Sequence, residues 1–364
     1  REFSHGKAIT RNLIMNTALH AESGATYWRV TLVSLAAAAT LALTACAGMS
    51  ARETSTVVGA TAGVGTWNSS LPGATFRVGG GAIVASTTVL DMTGIGTFTS
   101  SLGGGAFRLG SSDTSVSVAD AVTVLLAPTS TITAATYALQ GGTVNSNLGA
   151  GTTTVTTGTT TLNGSSASAD VNINSGTLAL GASDRLDNAA TVTVGGGILN
   201  AGAFNDTVGT FNMSSGSLNG TGTITAGTYG LSGGTVNANL GAGTANVTTG
   251  TTTLNGTSGA SAVNVNSGSL ALGANDRLAN GATVTIGGGI LNTGTFNDTV
   301  GTFNMSSGSL NGGGLITATT YGLSGGTVTG NLGTGTMNVT TGTVNLNGSS
   351  DASFVNINSG TLSL

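Results

Sequence analysis

The stretch that decides the fold runs from Ile224 to Leu315 and begins ITAGTYGLSGGTVNANL. Residues 132–223 are a near-copy of it, and an incomplete third copy occupies residues 316–364. The copies keep a fixed register, because one tyrosine recurs every 92 residues, at Tyr137, Tyr229 and Tyr321. A long period of this kind is the signature of a repeat architecture, in which each unit packs only on its neighbours.

A shorter pattern, apolar-x-apolar-x-x-Gly-x-apolar, lies inside the long unit. Its copy at 263–270 reads VNVNSGSL, and the period of two puts Val263 and Val265 on one face of a strand. Gly268 follows where the chain must turn, and glycine supplies a positive φ without steric cost. The glycines of the pattern are Gly234, Gly250, Gly268, Gly289, Gly308 and Gly326. The five intervals between them are unequal but closely similar, and they predict five rungs per unit.

Two strands and two turns in about 18 residues form one coil of a β-helix, whose coils stack at about 4.8 Å. No sustained helical periodicity occurs in residues 55–364, so the sequence predicts an all-β solenoid. Roughly 16 rungs would give a rod on the order of 75–80 Å long. Inward Val, Ile and Leu would stack into ladders, each contributing about 1.5–3 kcal/mol, while outward Thr and Asn would form ladders of their own.

The composition fits narrow β-structure and excludes several classes of protein. Disorder requires low hydrophobicity and high net charge, but 39 % of this chain is hydrophobic and its net charge is −4. No lysine follows Lys7, so the basic surface that nucleic acids require is missing. One cysteine, Cys46, excludes an internal disulfide framework and a cysteine-based zinc cluster.

The first part of the chain is typical of an export signal. Residues 1–28 are polar and mixed, and we interpret them as a leader or a non-native extension. Residues 29–47 begin with a basic flank and continue as an uncharged apolar run with small residues at its end, the layout of a secretory signal peptide. Cleavage before Gly48 and lipidation of Cys46 in a lipobox-like tetrad are both open. The alternative is a short membrane-spanning helix.

Residues 48–131 are predicted to form an N-terminal cap followed by diverged rungs. The motif FRVG at 76–79 recurs as FRLG at 107–110, and Trp67 supplies bulk that later units mostly lack. A solenoid needs an atypical terminal unit to cover its first open edge. The chain is therefore divided into 48–131, a first repeat at 132–223, a second at 224–315 and a truncated third at 316–364.

The run from Val263 to Gly289, VNVNSGSLALGANDRLANGATVTIGGG, resembles the autotransporter-associated β-strand repeats of bacterial passenger domains. Copies beginning at Val171 and Val355 resemble the same pattern, and similar repeats occur in filamentous-haemagglutinin-like exoproteins. The resemblance covers residues 132–364 and implies a right-handed parallel β-helix displayed outside the cell. The terminal β-barrel of autotransporters and a two-partner secretion domain are not recognisable here, so the secretion route is open. Because the chain stops at Leu364 in mid-repeat, we expect it to be a piece of a longer protein.

The residues needed for common catalytic sites are sparse. His5 and His20 are the only histidines and precede the signal-like run, and no glutamate follows Glu53. The exported part therefore lacks a Ser-His-Asp triad or a histidine metal site. Asp184 and Asp206 lie in successive rungs and could approach each other, but they repeat with the unit, which indicates a structural role. The carboxylates from residue 132 onward are Asp170, Asp184, Asp187, Asp206, Asp276, Asp298 and Asp351.

The charged turns have a structural interpretation. We expect the aspartate of each Asp-Arg pair to accept backbone N–H bonds and the arginine to cover the edge of the rung; the pairs are Asp184 with Arg185 and Asp276 with Arg277. An exposed pair of this kind contributes about 0–1 kcal/mol, and contact with a ligand is the alternative. Residues 205–207 and 297–299 are predicted to form further turns. Four phenylalanines are expected in the core rather than on a sugar-binding platform: Phe204, Phe211, Phe296 and Phe303.

These features together predict an exported, non-enzymatic bacterial surface solenoid without a cofactor, acting as a stalk or adhesin-like passenger. Its expected location is the cell surface, the outer membrane or the extracellular space. Its expected partners are host or matrix glycans and proteins, or further copies of itself. Membrane contact would come only from the signal, a lipid anchor or a C-terminal barrel. One alternative is a surface-layer or biofilm matrix protein. Another is a polysaccharide-acting β-helix enzyme, which would need an interrupted repeat with a charged cluster.

Overall fold

The computed structural model describes residues 131–132 and 136–364 with their side chains, and the backbone of Thr133. Before residue 131 it describes only the backbone of ten short strands, so Cys46 and most of residues 1–130 lie outside the described part. Every regular element in the described part is a β-strand, and none of its residues belongs to a helix that could span a bilayer.

The strands of the described residues follow one another closely, and most are two to five residues long. In chain order they are β1 (Leu32–Val33), β2 (Thr54–Val58), β3 (Trp67–Asn68), β4 (Thr75–Gly79), β5 (Val84–Ala85), β6 (Leu90–Asp91), β7 (Thr97–Ser101), β8 (Phe107–Leu109), β9 (Ser115–Ala119), β10 (Thr123–Leu126), β11 (Thr131–Thr133), β12 (Thr136–Gln140), β13 (Gly142–Val144), β14 (Asn147–Leu148), β15 (Thr152–Val155), β16 (Thr159–Leu162), β17 (Asp170–Ile173), β18 (Thr177–Leu180), β19 (Thr191–Asn200), β20 (Asp206–Asn219), β21 (Thr223–Leu231), β22 (Gly234–Val236), β23 (Asn239–Leu240), β24 (Thr244–Val247), β25 (Thr251–Leu254), β26 (Ala262–Val265), β27 (Ser269–Leu272), β28 (Thr283–Asn292), β29 (Asp298–Asn311), β30 (Leu315–Leu323), β31 (Gly326–Val328), β32 (Asn331–Leu332), β33 (Thr336–Val339), β34 (Thr343–Leu346), β35 (Phe354–Ile357) and β36 (Thr361–Ser363).

The strands stack in parallel into a β-solenoid with three faces. One coil uses the second half of β21 on face A, β22 on face B and β23 on face C. The chain then returns to face A as β24, which pairs with β21 in parallel. The ladders continue into the strands before residue 131: β3, β6 and β9 lead into face A, and β1, β2, β4, β7 and β10 lead into face B. The first of these, β1, lies inside the segment predicted as a signal.

The pairings on face A confirm five coils per 92-residue unit. Successive partners follow the same intervals as the glycines of the sequence pattern: Thr228, Thr244, Ala262, Thr283, Thr302 and Thr320. Thirteen coils stack between β12 and β36, which at the usual strand spacing gives roughly 60 Å. The three earlier strands of face A bring the levels to sixteen, the number predicted.

The alternation of side chains also matches the prediction. Val263 and Val265 are buried in the solenoid, whereas Asn264 and Asn266 face outward. The outward asparagines form the predicted ladders, with Asn264 donating its side-chain amide to Asn246 over 2.9 Å. Parallel pairing holds the backbone, and the stacked apolar side chains fill a narrow interior that a single coil could not close by itself.

The repeated tyrosine ties the interior to the backbone. Tyr321 is completely buried and packs edge-to-face on Phe303, with 6.3 Å between ring centroids. Its hydroxyl donates to the carbonyl of Ile316 and accepts the N–H of Ala318, both over 3.0 Å. A buried Tyr O–H requires such partners, and this corner of the coil supplies both. The hydroxyl of Tyr229 makes the equivalent two bonds: it donates to the carbonyl of Ile224 and accepts the N–H of Ala226.

The glycines of the repeat meet two different needs, which corrects the single reason given by the sequence. Gly250 and Gly308 have positive φ values of 57° and 78°, as predicted. Gly268 and Gly289 do not. They are required by close stacking instead, because a Cβ on Gly268 would lie 2.5 Å from the carbonyl oxygen of Thr249 in the coil below.

Face B slips relative to face A. On face B, five successive pairings of inward residues lead from Gly142 to Val236, which lies 94 positions further along the chain. On face A five pairings carry Thr136 to Thr228, which is 92 positions. A slip of two residues keeps every inward side chain inward, because the side-chain period of a strand is two. The slip recurs in each unit, so equivalent residues keep equivalent neighbours: Gly142 pairs with Thr160, and Gly234 pairs with Thr252.

Candidate functional site

The charged residues of the second unit gather at one place, which we call the Asp-Arg corner: residues 275–282 together with Asp298. It lies in the longest coil, between β27 and β28, where face C contains no named strand. The equivalent corner of the first unit contains residues 183–190 and Asp206. Because the coil from β26 to β28 is longer than its neighbours, its additional residues must leave the ladder and return to it.

Asp276 and Arg277 occupy the outer edge of the corner. Asp276 is exposed and has a φ of 53°, and its counterpart Asp184 has a φ of 55°. Aspartate tolerates this left-handed region better than most residues. The guanidinium of Arg277 donates to the carbonyl of Asn255 in the coil below over 2.7 Å, and to that of Asn275 over 2.8 Å. The arginine therefore covers backbone carbonyls at the rung edge.

Asp298, at the start of β29, takes the role that the sequence assigned to Asp276. Its Oδ2 accepts the backbone N–H groups of Arg277 over 2.8 Å and of Leu278 over 3.0 Å. Asp206 makes the same two bonds to Arg185 and Leu186. The carboxylate thus replaces the backbone carbonyls that a regular ladder would offer. The sequence signal was the constant spacing between the two aspartates of each unit, together with the position of the second aspartate at a strand start.

The burial of Asp298 has an electrostatic consequence. The residue is 1 % exposed, and its Oδ1 has no hydrogen-bond partner. Burial raises the pKa of the carboxyl because the charged form loses hydration, and the negative charge of Asp276 raises it further. The bonds from Leu278 and Arg277 oppose this shift without cancelling it. Asp206 shows the same raised pKa, with Asp184 as the neighbouring charge. The N–H of Asp184 donates to the carbonyl of Asn205, the residue before Asp206, over 3.1 Å.

This arrangement favours support of the coil over acid–base chemistry on a substrate. A catalytic carboxyl must be within hydrogen-bond reach of its substrate, but both strand-start aspartates are closed off from solvent. Among the residues with described side chains, no group of three His, Cys, Asp or Glu is placed to hold a metal ion. Equivalent corners are five coils apart, or about 24 Å along the stack, so they act separately.

The remaining candidates from the sequence fall into three groups. Phe211 and Phe303 are completely buried and belong to the core, while Phe204 and Phe296 are partly buried at its edge. Cys46, the candidate for lipidation, lies outside the described residues. The turns predicted at 205–207 and 297–299 are wrong for two of their three residues, because β20 and β29 begin at the buried aspartates Asp206 and Asp298. No family model, curated protein or solved structure matches this chain.

Proposed function

We propose that this chain is part of an exported bacterial surface protein that acts as a stalk or adhesin-like passenger without enzymatic activity. The observation that carries the proposal is the uniformity of the rod. Thirteen coils repeat the same faces, and the described residues from 131 onward include only nine charged side chains. A repeated neutral surface suits extension and multiple weak contacts.

Face A presents a regular part of this surface. Its first outward column contains threonine at ten of thirteen levels, in the order Thr136, Thr152, Asp170, Thr191, Thr210, Thr228, Thr244, Ala262, Thr283, Thr302, Thr320, Thr336 and Phe354. At its ten threonine levels the column presents hydroxyl and methyl groups, which match the alternating polar and apolar surface of a glycan chain. We therefore propose glycans of the host or matrix as the first class of partner to test.

The test is binding of the full chain to immobilised glycans and matrix proteins. The variant Thr244→Asp with Thr302→Asp places two charges on face A, and Thr253→Asp with Ser309→Asp places two on face B as a matched control. Saturable binding that the face A variant weakens and the face B variant retains would support the proposal. Release of soluble sugars from a bound polysaccharide would refute the non-enzymatic role.

The alternative, a surface-layer or matrix protein, predicts association between copies. Sedimentation of the full chain over a range of concentrations separates the two proposals. Assembly without binding to any glycan or matrix protein would favour the structural role over adhesion, and the face A variant would then be expected to reduce assembly.

A further inference from the structure

A four-residue turn in the Asp-Arg corner differs between the first two units. Residues 279–282 read Ala-Asn-Gly-Ala, whereas the equivalent residues 187–190 read Asp-Asn-Ala-Ala. Both form the same tight turn, in which the N–H of the fourth residue donates to the carbonyl of the first: over 2.8 Å for Ala282 to Ala279, and over 2.9 Å for Ala190 to Asp187. The second residue of both turns is an exposed asparagine.

The first unit restrains the nitrogen that follows its asparagine. Oδ1 of Asp187 accepts the N–H of Ala189 over 2.8 Å. The second unit has Ala279 in place of that aspartate, so the corresponding carboxylate is missing. It also has Gly281 in place of Ala189, and a Cβ at Gly281 would meet no atom within 4 Å. The backbone nitrogen of Gly281 therefore has neither the carboxylate acceptor nor the adjacent β-carbon that the backbone nitrogen of Ala189 has.

Asparagine precedes glycine at five other places in residues 131–364, and there the coil stack restrains the pair. In three of them the glycine N–H donates to a carbonyl of the coil below: Gly164 to Val144, Gly256 to Val236 and Gly348 to Val328. The other two asparagines, Asn219 and Asn311, end strands β20 and β29. Their side-chain oxygens accept bonds from Asn237 and Thr329 in the coil above.

We propose that Asn280 is a site of spontaneous deamidation in this protein. The backbone nitrogen of Gly281 attacks the side-chain carbonyl carbon of Asn280. A C–N bond forms to close a five-membered imide, the bond to the amide nitrogen breaks, and that nitrogen leaves with the displaced proton as ammonia. Water then adds to either carbonyl of the imide and yields aspartate or isoaspartate. The net reaction consumes one water and releases one ammonia, and no oxidant or reductant takes part.

The product changes the corner in two ways. A new carboxylate appears in the same corner as Asp276, in a unit with few charges. Isoaspartate also lengthens the main chain by one atom between residues 280 and 281. The turn is held to the next coil through Gly301, whose N–H donates to Ala282 over 2.9 Å. Isoaspartate at position 280 therefore loosens the stacking of β28 and β29 at this corner, whereas aspartate adds only charge.

The experiment follows the conversion of each asparagine in the full chain during incubation at mildly alkaline pH. Peptide mapping by mass spectrometry measures the exchange of amide for acid, and enzymatic methylation of isoaspartate distinguishes the two products. We expect Asn280 to convert about tenfold faster than Asn188, because a hydrogen bond to a charged group must be broken in the first unit before the nitrogen can attack.

Three variants make the comparison sharp. Gly281→Ala and Ala279→Asp each restore one feature of the first unit and should each slow conversion at Asn280. The double variant Asp187→Ala with Ala189→Gly should transfer the reactivity to Asn188. The first unit already folds with Asp187 and Ala189, so the single variants should retain their circular dichroism. Equal rates at Asn280 and Asn188, or unchanged rates in both single variants, would overturn the proposal.

Discussion

Thr252 occupies a position in the apolar interior where its hydroxyl has no partner. It lies on the inward side of face B, is 0 % exposed, and stacks between Gly234 below and Leu270 above. The third unit has Val344 at the same position, also completely buried. The first unit retains threonine, but Oγ1 of Thr160 accepts the N–H of Gly141 over 3.1 Å. The chain therefore contains a matched pair of buried threonines, one without a partner and one bonded.

The two valine substitutions should have opposite effects. Threonine and valine have nearly the same volume, so packing changes little. A buried hydroxyl without a partner costs about 1–3 kcal/mol, and Thr252→Val removes that cost. Thr160→Val instead leaves the N–H of Gly141 buried and unpaired, which costs about 1–3 kcal/mol. The two variants should therefore differ by about 2 kcal/mol or more in local stability.

Native-state hydrogen exchange is the suitable assay, because a solenoid can open coil by coil and a single unfolding free energy is then poorly defined. Amides of residues 244–272 should exchange more slowly in Thr252→Val than in the parent chain. Amides of residues 136–162 should exchange faster in Thr160→Val. A change of about 1–2 kcal/mol corresponds to about 5–30-fold in the opening equilibrium. Slower exchange in both variants, or faster exchange in Thr252→Val, would refute the assignment of the unpaired hydroxyl.

Three further substitutions test other parts of the structure. Val265→Asp places an unpaired charge in the interior and should cost at least about 3 kcal/mol locally; unchanged protease resistance around β26 would contradict the inward position of Val265. Asp298→Asn retains an acceptor for Arg277 and Leu278. Because the folded pKa of Asp298 is raised above 3.8, the stability of the parent chain relative to this variant should be greatest at pH values below 3.8 and should fall as the pH rises through the folded pKa. Thermal melts from acid to neutral pH measure this difference in stability, with Asp351→Asn as the exposed control. A stability difference that grows as the pH rises would contradict the raised pKa of Asp298. Tyr321→Phe removes the acceptor of the N–H of Ala318, while the carbonyl of Ile316 keeps its bond from the N–H of Gly333. The substitution should cost about 1–3 kcal/mol, measured by exchange of amides in 315–323; unaltered exchange there would show that the hydroxyl contributes nothing.

The sequence by itself determined the period, the number of coils and the facing of side chains. Each of these depends on relations within one coil: alternation at Val263 and Val265, a glycine at the turn, and the spacing between successive turns. Those relations are local in the chain, so the intervals between the glycines matched the pairings of face A without correction.

The tertiary structure decided everything that depends on the coil above or below. It showed that Gly268 is needed for close stacking, and that Asp298 rather than Asp276 accepts the N–H groups of the corner. It also showed that face B slips by two residues per unit, and that the hydroxyl of Thr252 has no partner while that of Thr160 does. The physical reason is that each of these depends on atoms that lie a whole coil away along the chain, and alternation and turn spacing within one coil do not specify where those atoms lie.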